Sequence, residues 1–354
     1  MRVELLETPA LVVDLDAMEG NIRAMKRLLE GTGAALRPHY KSHKCAELAR
    51  RQIEAGAKGI TCAKLGEAED LCEAGIADIL IANQIVDEAK IARLAFLAKR
   101  CHLTVCVDNP ENIEALSRAA ERAGAALHCL VEYDVGMKRC GARTEEEFLS
   151  LARAVAAAPG LIFDGVQAYA GNLSHEEDRE VRREGAEQVE NRVKSLLDFL
   201  KAHGVVAKEV SGVSTGTVEF KRSGGVYTEI QAGSYLFMDA AYARLDPGFA
   251  HALYLYATVV STAGGRAVTD CGMKSCAVDQ GVPVYERFPS AAVSMSEEHA
   301  AFWGDPEKPC RAGDRLRAIP GHGCTTVNLH DRLYLMRGGE VMGCLPVTSR
   351  GKSR

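Results

Sequence analysis

ALRPHYKSHKCAELARRQIEAGAKGITCAKLGEAEDLCEAGIADILIA, residues 35–82, contains three short apolar or β-branched runs at 35–40, 59–63 and 78–82. Between them lie longer Ala/Leu/Glu/Arg segments such as CAELARRQIEAGA (45–57), with apolar residues three and four apart. A strand-length run followed by a helix-spaced segment is the signature of βα units and of a parallel sheet. The rhythm continues through LTVCV (103–107), LHCLVEY (127–133), FDGVQAY (163–169), KEVSGV (208–213) and TEIQAG (228–233), with NIEALSRAAERAGA (112–125) as the helix after the fourth strand. Eight such units over roughly 200 residues predict an α/β fold of the TIM (β/α)8 barrel type; a doubly wound open sheet leaves a similar pattern.

Beyond Asp239 the pattern changes. ALYLYATVVST, GRAVTDCG, DRLRAIPGHG and DRLYLMRGGEVMGCLPV are strand-like runs parted by Gly, Pro and Asp turns, so a β-rich C-terminal domain is expected. The turn RLDPGF (244–249) sets the expected boundary, giving a barrel domain over 1–245 and a β-rich domain over 246–354. The opening strand, about residues 8–15, has no place in a count of eight and is free to pair with the C-terminal sheet.

The chain of 354 residues exceeds the usual span of one compact domain, and 47% hydrophobic with 26% charged residues is an ordinary globular balance. A formal net charge of −5 gives no electrostatic reason to bind nucleic acid or an anionic membrane. No stretch approaches the roughly 18 to 20 uncharged apolar residues that span a bilayer. The start, MRVELLETPALVVDLDAMEGN, has no basic segment leading into an apolar one, so no signal peptide is expected. Twelve cysteines scattered through apolar stretches suit a reducing cytoplasm better than a disulfide scaffold.

Several residues could carry chemistry. Lys41, in RPHYKSHK, follows the first barrel strand, and barrel sites gather at the C-terminal ends of strands. A lysine there can form a Schiff base with a carbonyl, although the octapeptide by itself also reads as a solvated loop. The last two strands lead into STGTVEF and AGSYLFMD, whose Thr215, Gly216, Thr217, Gly233 and Ser234 are candidates to hold a phosphate or simply to turn the chain. Neither loop matches GxxxxGK[ST]. Arg139, in VEYDVGMKRCG, and Tyr169, in QAYAGNLSH, would point into the barrel mouth, the first as a permanent cation and the second to stack or donate its hydroxyl. His322 and Cys324, in PGHGCTTVN, would emerge on one face of an extended segment and could hold a divalent ion, with His330, His299 or His175 as a third ligand.

Taken in order, TPALVVDLD, RPHYKSHK, VEYDVGMKRCG, VQAYAGN, TGTVEF, GVYTEIQAGSYLFMD, DCGMKS, SEEHA and PGHGCTTVNLHD resemble the D-threonine aldolase and D-serine dehydratase family of alanine racemase-like (fold type III) pyridoxal-phosphate enzymes. The resemblance implies that Lys41 holds pyridoxal 5′-phosphate as an internal aldimine, that Arg139 faces the pyridine nitrogen and that Tyr169 lies near the cofactor. It further implies that Thr215, Gly216, Thr217, Gly233 and Ser234 cradle the phosphate and that His322 and Cys324 ligate a divalent metal. Lys41, Tyr169 and His322 are then the expected catalytic residues, a small D-amino acid the substrate, and a homodimer the assembly.

The aldolases of this family usually carry Asp where this chain has Cys324, whereas the dehydratases carry Cys with zinc; thiolate suits zinc and carboxylate suits manganese or magnesium. GVYTEIQAGSYLFMD and TVNLHD, by contrast, lie nearer the aldolases. The resemblance therefore implies a lyase for D-3-hydroxy-α-amino acids, with retro-aldol cleavage to glycine and an aldehyde as the main expectation. Dehydration of D-serine or D-3-hydroxyaspartate to an oxo acid and ammonia is the alternative, and an amino-acid racemase or a non-catalytic carrier of the cofactor are the outsiders.

Overall fold

The computed structural model describes residues 1–221, 225–307 and 309–354. Two compact units make up the chain. One comprises Lys26–Lys41, Ala46–Gly233 and Lys352–Arg354, the other Met1–Met25, Ser42–Cys45 and Ser234–Gly351. The chain thus enters the second unit directly after the last barrel strand, ahead of the RLDPGF turn.

Strand β1 (Ala10–Asp14) belongs to the second unit. The first unit is built on eight parallel strands: β2 (Ala35–Leu36), β3 (Ile60–Cys62), β4 (Asp78–Ile81), β5 (His102–Val107), β6 (Leu127–Glu132), β7 (Leu161–Ala168), β8 (Glu209–Gly212) and β9 (Glu229–Ile230). Their order is β2-β9-β8-β7-β6-β5-β4-β3. The two ends of this sheet meet: Lys58 N donates to Leu36 O at 2.8 Å, Thr61 N donates to Pro38 O at 3.0 Å, and His39 bridges Thr61 in parallel fashion. The expected barrel is therefore present. Its first strand is shorter than the run 35–40: regular pairing covers Ala35–Leu36, Arg37 N and His39 N still donate to Ile230 O at 2.9 Å and Ala232 O at 3.4 Å, and the chain then turns into a 3-10 segment at Tyr40–Ser42.

The helices follow their apolar spacing, as at Ala46–Glu54 and Pro110–Ala123. In the second of these, the Asn109 side chain accepts from Asn112 N, Pro110 occupies the first turn, and Gly124 ends the helix in the left-handed region at φ 60°. Inside the barrel, Leu80, Cys106 and Leu130 form an apolar layer. A buried polar group lies on the far strands, where Gln231 Nε2 donates to Gln167 Oε1 and to Ser211 Oγ, each at 2.7 Å. Arg37, buried, ties the starts of β4 and β9 together through Asp78 at 2.7 Å and Glu229 at 2.8 Å.

The second unit is a mostly antiparallel sheet of β1 with β10 (Leu253–Ser261), β11 (Arg266–Thr269), β12 (Val284–Tyr285), β13 (Ser294–Met295), β14 (Ala300–Trp303), β15 (Arg315–Ile319), β16 (Arg332–Arg337) and β17 (Glu340–Pro346). Its main path runs β13-β14-β11-β10-β1-β16-β17, with β15 on β10 and β12. β1 pairs antiparallel with β10 and parallel with β16, and Val12, Tyr254, Tyr256 and Met336 pack into one cluster on it. β12, β13 and β14 have no counterpart in the sequence reading, since runs of two to four residues carry no detectable period. Among the described residues, no helix is long and apolar enough to cross a membrane.

Replacing Arg37 by Met leaves the buried Glu229 carboxylate without its nearest cation. The variant is expected to lose about 3–5 kcal/mol of stability, read as a lower urea midpoint in circular dichroism, whereas a surface change such as Arg50→Met shifts the midpoint little.

Candidate active site

Lys41 ends the first unit's opening segment, in the 3-10 turn that begins where β2 leaves the sheet. The turn is pinned on both sides. Lys41 N donates to His39 Nδ1 at 3.3 Å, and the buried Tyr40 hydroxyl donates to Asp70 Oδ2 at 2.7 Å, a carboxylate that also receives Lys352 Nζ at 2.8 Å. The Lys41 side chain is exposed, with Nζ 5.7 Å from the centre of the Tyr169 ring. Tyr169 follows β7, and its hydroxyl lies 3.3 Å from Ser174 Oγ. Gly171 leaves room for that ring: a Cβ there would sit 2.7 Å from Tyr169 Cε1.

Arg139 lies in the loop after β6. Its Nη2 stands 3.7 Å from Oε1 of Glu132, the buried residue that ends the strand and accepts from Gln84 Nε2 at 2.6 Å. Burial pushes the Glu132 carboxyl up, while Gln84 and Arg139 draw it down. The loop folds tightly back on the strand through Ala142 N to Glu132 O and Asp134 N to Ala142 O, both 2.9 Å. Gly141 permits this approach with φ 100°, and a Cβ there would lie 2.9 Å from Glu132 O.

The loop after β8 is buried over Val213–Val218. Val213 takes the left-handed region at φ 69°, Ser214 N donates to Thr217 Oγ1 at 3.2 Å, and Thr217 N donates to Ser214 O at 3.2 Å. Gly212 is required at its entrance, since a Cβ would fall 2.1 Å from Ala168 O. Thr215, Gly216 and Thr217 thus sit in one compact turn of small, hydroxyl-bearing residues. Gly233 is the last residue of the first unit's long segment, and Ser234 the first of the second unit's.

In the second unit, His322 and Cys324 do come together, but not on a strand. β15 ends at Ile319, His322 has extended backbone, and Cys324 lies in the first turn of a short helix, Gly323–Val327. Asp239 Oδ2 accepts from Gly323 N at 2.8 Å and fixes this start, and Ser234 Oγ lies 3.7 Å from Cys324 Sγ. His322 Nδ1 is 2.6 Å from Asp279 Oδ2, whose other oxygen accepts from Thr325 Oγ1 at 2.7 Å. Burial lowers the His322 pKa, but the hydrogen bond and charge of Cys324, then those of Asp279, outweigh it and raise the value to about 9. With Nδ1 held by a carboxylate, Nε2 is the nitrogen left for an ion.

Of the three expected third ligands, His330 Nε2 lies 2.7 Å from Ser275 O, His299 is exposed between β13 and β14, and His175 lies in the barrel unit. The sequence reading missed Asp279, which stands four residues beyond the quoted DCGMKS, and also Glu132, inside VEYDVGMKRCG. In both cases the partner is found only by folding.

Comparison with known proteins places these residues in a family. Residues 13–241 match the alanine racemase N-terminal domain, and residues 252–336 match a serine dehydratase domain. The chain is 40% identical to D-threonine aldolase of an Arthrobacter species over 99% of its length and 94% of that protein's. It is equally 40% identical to 3-hydroxy-D-aspartate aldolase of Paracoccus denitrificans, with 98% and 93% covered. The crystal structure of D-threonine aldolase from Filomicrobium marinum superposes with a TM-score of 0.95 at 37% identity, over 99% and 98% of the two chains. D-threo-3-hydroxyaspartate dehydratase of a Delftia species is 30% identical over 91% and 92%, and a cysteine-to-alanine form of it has been solved free of metal, with a TM-score of 0.88 at 26% identity over 98% and 99%. By sequence and by fold, the chain belongs to the alanine racemase-like lyases that include the D-threonine and 3-hydroxy-D-aspartate aldolases and their dehydratase relatives.

Proposed function

We propose that this protein is a pyridoxal 5′-phosphate- and divalent-metal-dependent lyase that cleaves D-3-hydroxy-α-amino acids of the D-threonine type to glycine and an aldehyde. The observation that carries the reading is the Lys41 amine, set over the Tyr169 ring at the end of a barrel strand. The cofactor fits the residues present. A lysine amine reaches the barrel mouth, a cationic side chain is anchored there by Glu132, and the turn at Thr215–Thr217 is held open by Gly212, whose Cβ would collide with backbone.

When bound, pyridoxal phosphate supplies an acceptor for electrons released from a bond at Cα. Lys41 would hold it covalently, with Thr215, Gly216, Thr217, Gly233 and Ser234 around its phosphate. Arg139 would donate to the ring nitrogen and, as a permanent cation, never accept its proton. Such a ring is a weaker electron acceptor than one paired with a carboxylate, so further stabilisation is needed. A divalent ion on His322 Nε2 and the Cys324 thiolate would supply it as a Lewis acid, worth several kcal/mol. The thiolate favours zinc over manganese or magnesium. Support comes from the Asp279–His322 contact, the usual support of a ligating imidazole, and from the metal-free cysteine-to-alanine form of the Delftia enzyme.

Which bond breaks depends on which proton leaves. Loss of the β-hydroxyl proton leads to Cα–Cβ cleavage. Removal of the Cα proton, for which Lys41 Nζ is the base in this reading, leads instead to loss of hydroxide and an oxo acid. Cys324 favours the second outcome and the identity to two aldolases the first. The scatter of twelve cysteines through apolar stretches supports a cytoplasmic setting, and family likeness supports a homodimer; the partner in the reaction is a small molecule, with no role for nucleic acid or membrane.

Incubation with D-threonine, D-serine and D-3-hydroxyaspartate in the presence of Zn²⁺ or Mn²⁺, with glycine, aldehyde and oxo acid assayed separately, should give glycine and aldehyde in equal amounts. Oxo acid without glycine would make the protein a dehydratase. Asp279→Asn should weaken the activating metal's apparent affinity by about 10–100-fold, with kcat recovered at saturating metal. An unchanged metal titration would remove Asp279 and His322 from the metal site.

A further inference from the structure

At the opposite end of the barrel from Lys41, three adjacent parallel strands begin with residues that no part of the reaction uses. His102 opens β5, His128 is the second residue of β6, and Asp164 lies in β7. The register explains their convergence. Thr104 pairs with His128, and the β6–β7 ladder slips between Cys129 and Leu130, so that Phe163 and Gly165 are paired while Asp164 bulges out of register. The backbone is committed to that bulge. Lys208 N donates to Asp164 O at 2.7 Å, and a Cβ on Gly165 would fall 1.9 Å from Glu209 O.

We propose that His102, His128 and Asp164 form a second divalent-metal site, one for zinc or a similar first-row ion, distinct from His322 and Cys324. Among the described residues these three form the one group of three or more His, Cys, Asp or Glu whose ligand atoms all lie within 4.8 Å of one another. His128 Nδ1 is 2.7 Å from Asp164 Oδ2, and the two imidazole rings lie 4.0 Å apart, tilted by 51°. Tetrahedral zinc holds nitrogen and oxygen donors roughly 3.3 Å apart, so a closing movement of the exposed His102 completes the site. Two imidazoles and one carboxylate suit a borderline ion and leave positions for water.

His102 and Asp164 line a cavity of about 150 Å³ open to solvent. Three cations, Arg37, Lys58 and Lys208, line it with the carboxylates Asp164, Glu209 and Glu229, and Arg37 and Lys58 are paired with Asp78, Glu229 and Glu209. Bound there, an ion would staple the starts of β5, β6 and β7, a structural role that leaves the chemistry at the other rim untouched.

Co²⁺ tests this on the full-length chain, because a cobalt thiolate gives a charge-transfer band that a nitrogen and oxygen site lacks. In a His322→Ala/Cys324→Ala background, one equivalent of Co²⁺ is expected to bind per chain with visible d–d absorption, without the thiolate band, and with a rise in the melting temperature. Adding His102→Asn, at an exposed position that the fold does not need, should weaken binding at least tenfold and abolish that rise while leaving the metal-free melt unchanged. Absence of bound Co²⁺ in the background variant, or binding and stabilisation indifferent to His102→Asn, would overturn the site.

Discussion

Closure of a parallel barrel across Pro38 is the constraint on which the rest depends. On one side Arg37 N and His39 N donate to Ile230 O and Ala232 O, and on the other Pro38 offers its carbonyl to Thr61 N with no N–H of its own, so the two edges of the sheet close around this proline. The chain is turned out of the sheet at once, through Tyr40, whose hydroxyl is fixed on Asp70. Lys41 is carried to the rim by that turn and not by a longer strand. Parallel strands then bring the ends of β6, β7 and β8 to the same rim, so the loops bearing Arg139, Tyr169 and Thr215–Thr217 lie at one end of the barrel although 78 positions separate Arg139 from Thr217.

Glycines and buried polar groups hold this rim in place. Gly212, Gly141 and Gly171 each stand where a Cβ would strike backbone or a side chain of the site, so the loops are positioned by close approach rather than by bulk. Each of two candidate residues has a carboxylate beside it that the sequence did not announce: Asp279 Oδ2 lies 2.6 Å from His322 Nδ1, and Glu132 Oε1 lies 3.7 Å from Arg139 Nη2. The barrel interior separates its two ends by an apolar layer of Leu80, Cys106 and Leu130, and polar groups gather on either side of it.

Much of this was legible in the sequence because it is periodic. The alternation of strand runs and helix-spaced segments from residue 35 to 233 yields the barrel, and caps such as Asn109 with Pro110 and Gly124 are written locally. The first strand was read past its regular pairing because nothing in the run 35–40 marks where the 3-10 turn at Tyr40 begins. The H-x-C pair is a weak signal by its spacing and gained weight only from the family resemblance, and its geometry comes from a helix start fixed by Asp239, 84 residues away, which no local pattern announces. Asp279 and Glu132 were missed for the same reason, since a lone acidic residue acquires meaning only from the partner that folding supplies. The short strands β12, β13 and β14 exist only as complements to longer neighbours.

The central claim is a covalent link between Lys41 and the aldehyde of pyridoxal phosphate. Reduction of the cofactor-loaded protein with borohydride, followed by proteolysis and peptide mass spectrometry, tests it directly. A phosphopyridoxyl group on the peptide bearing Lys41, and none on the protein when Lys41→Ala is treated in the same way, is the predicted result. A label at Lys44 or Lys64 with Lys41 unmodified, or no label at all, would contradict the account.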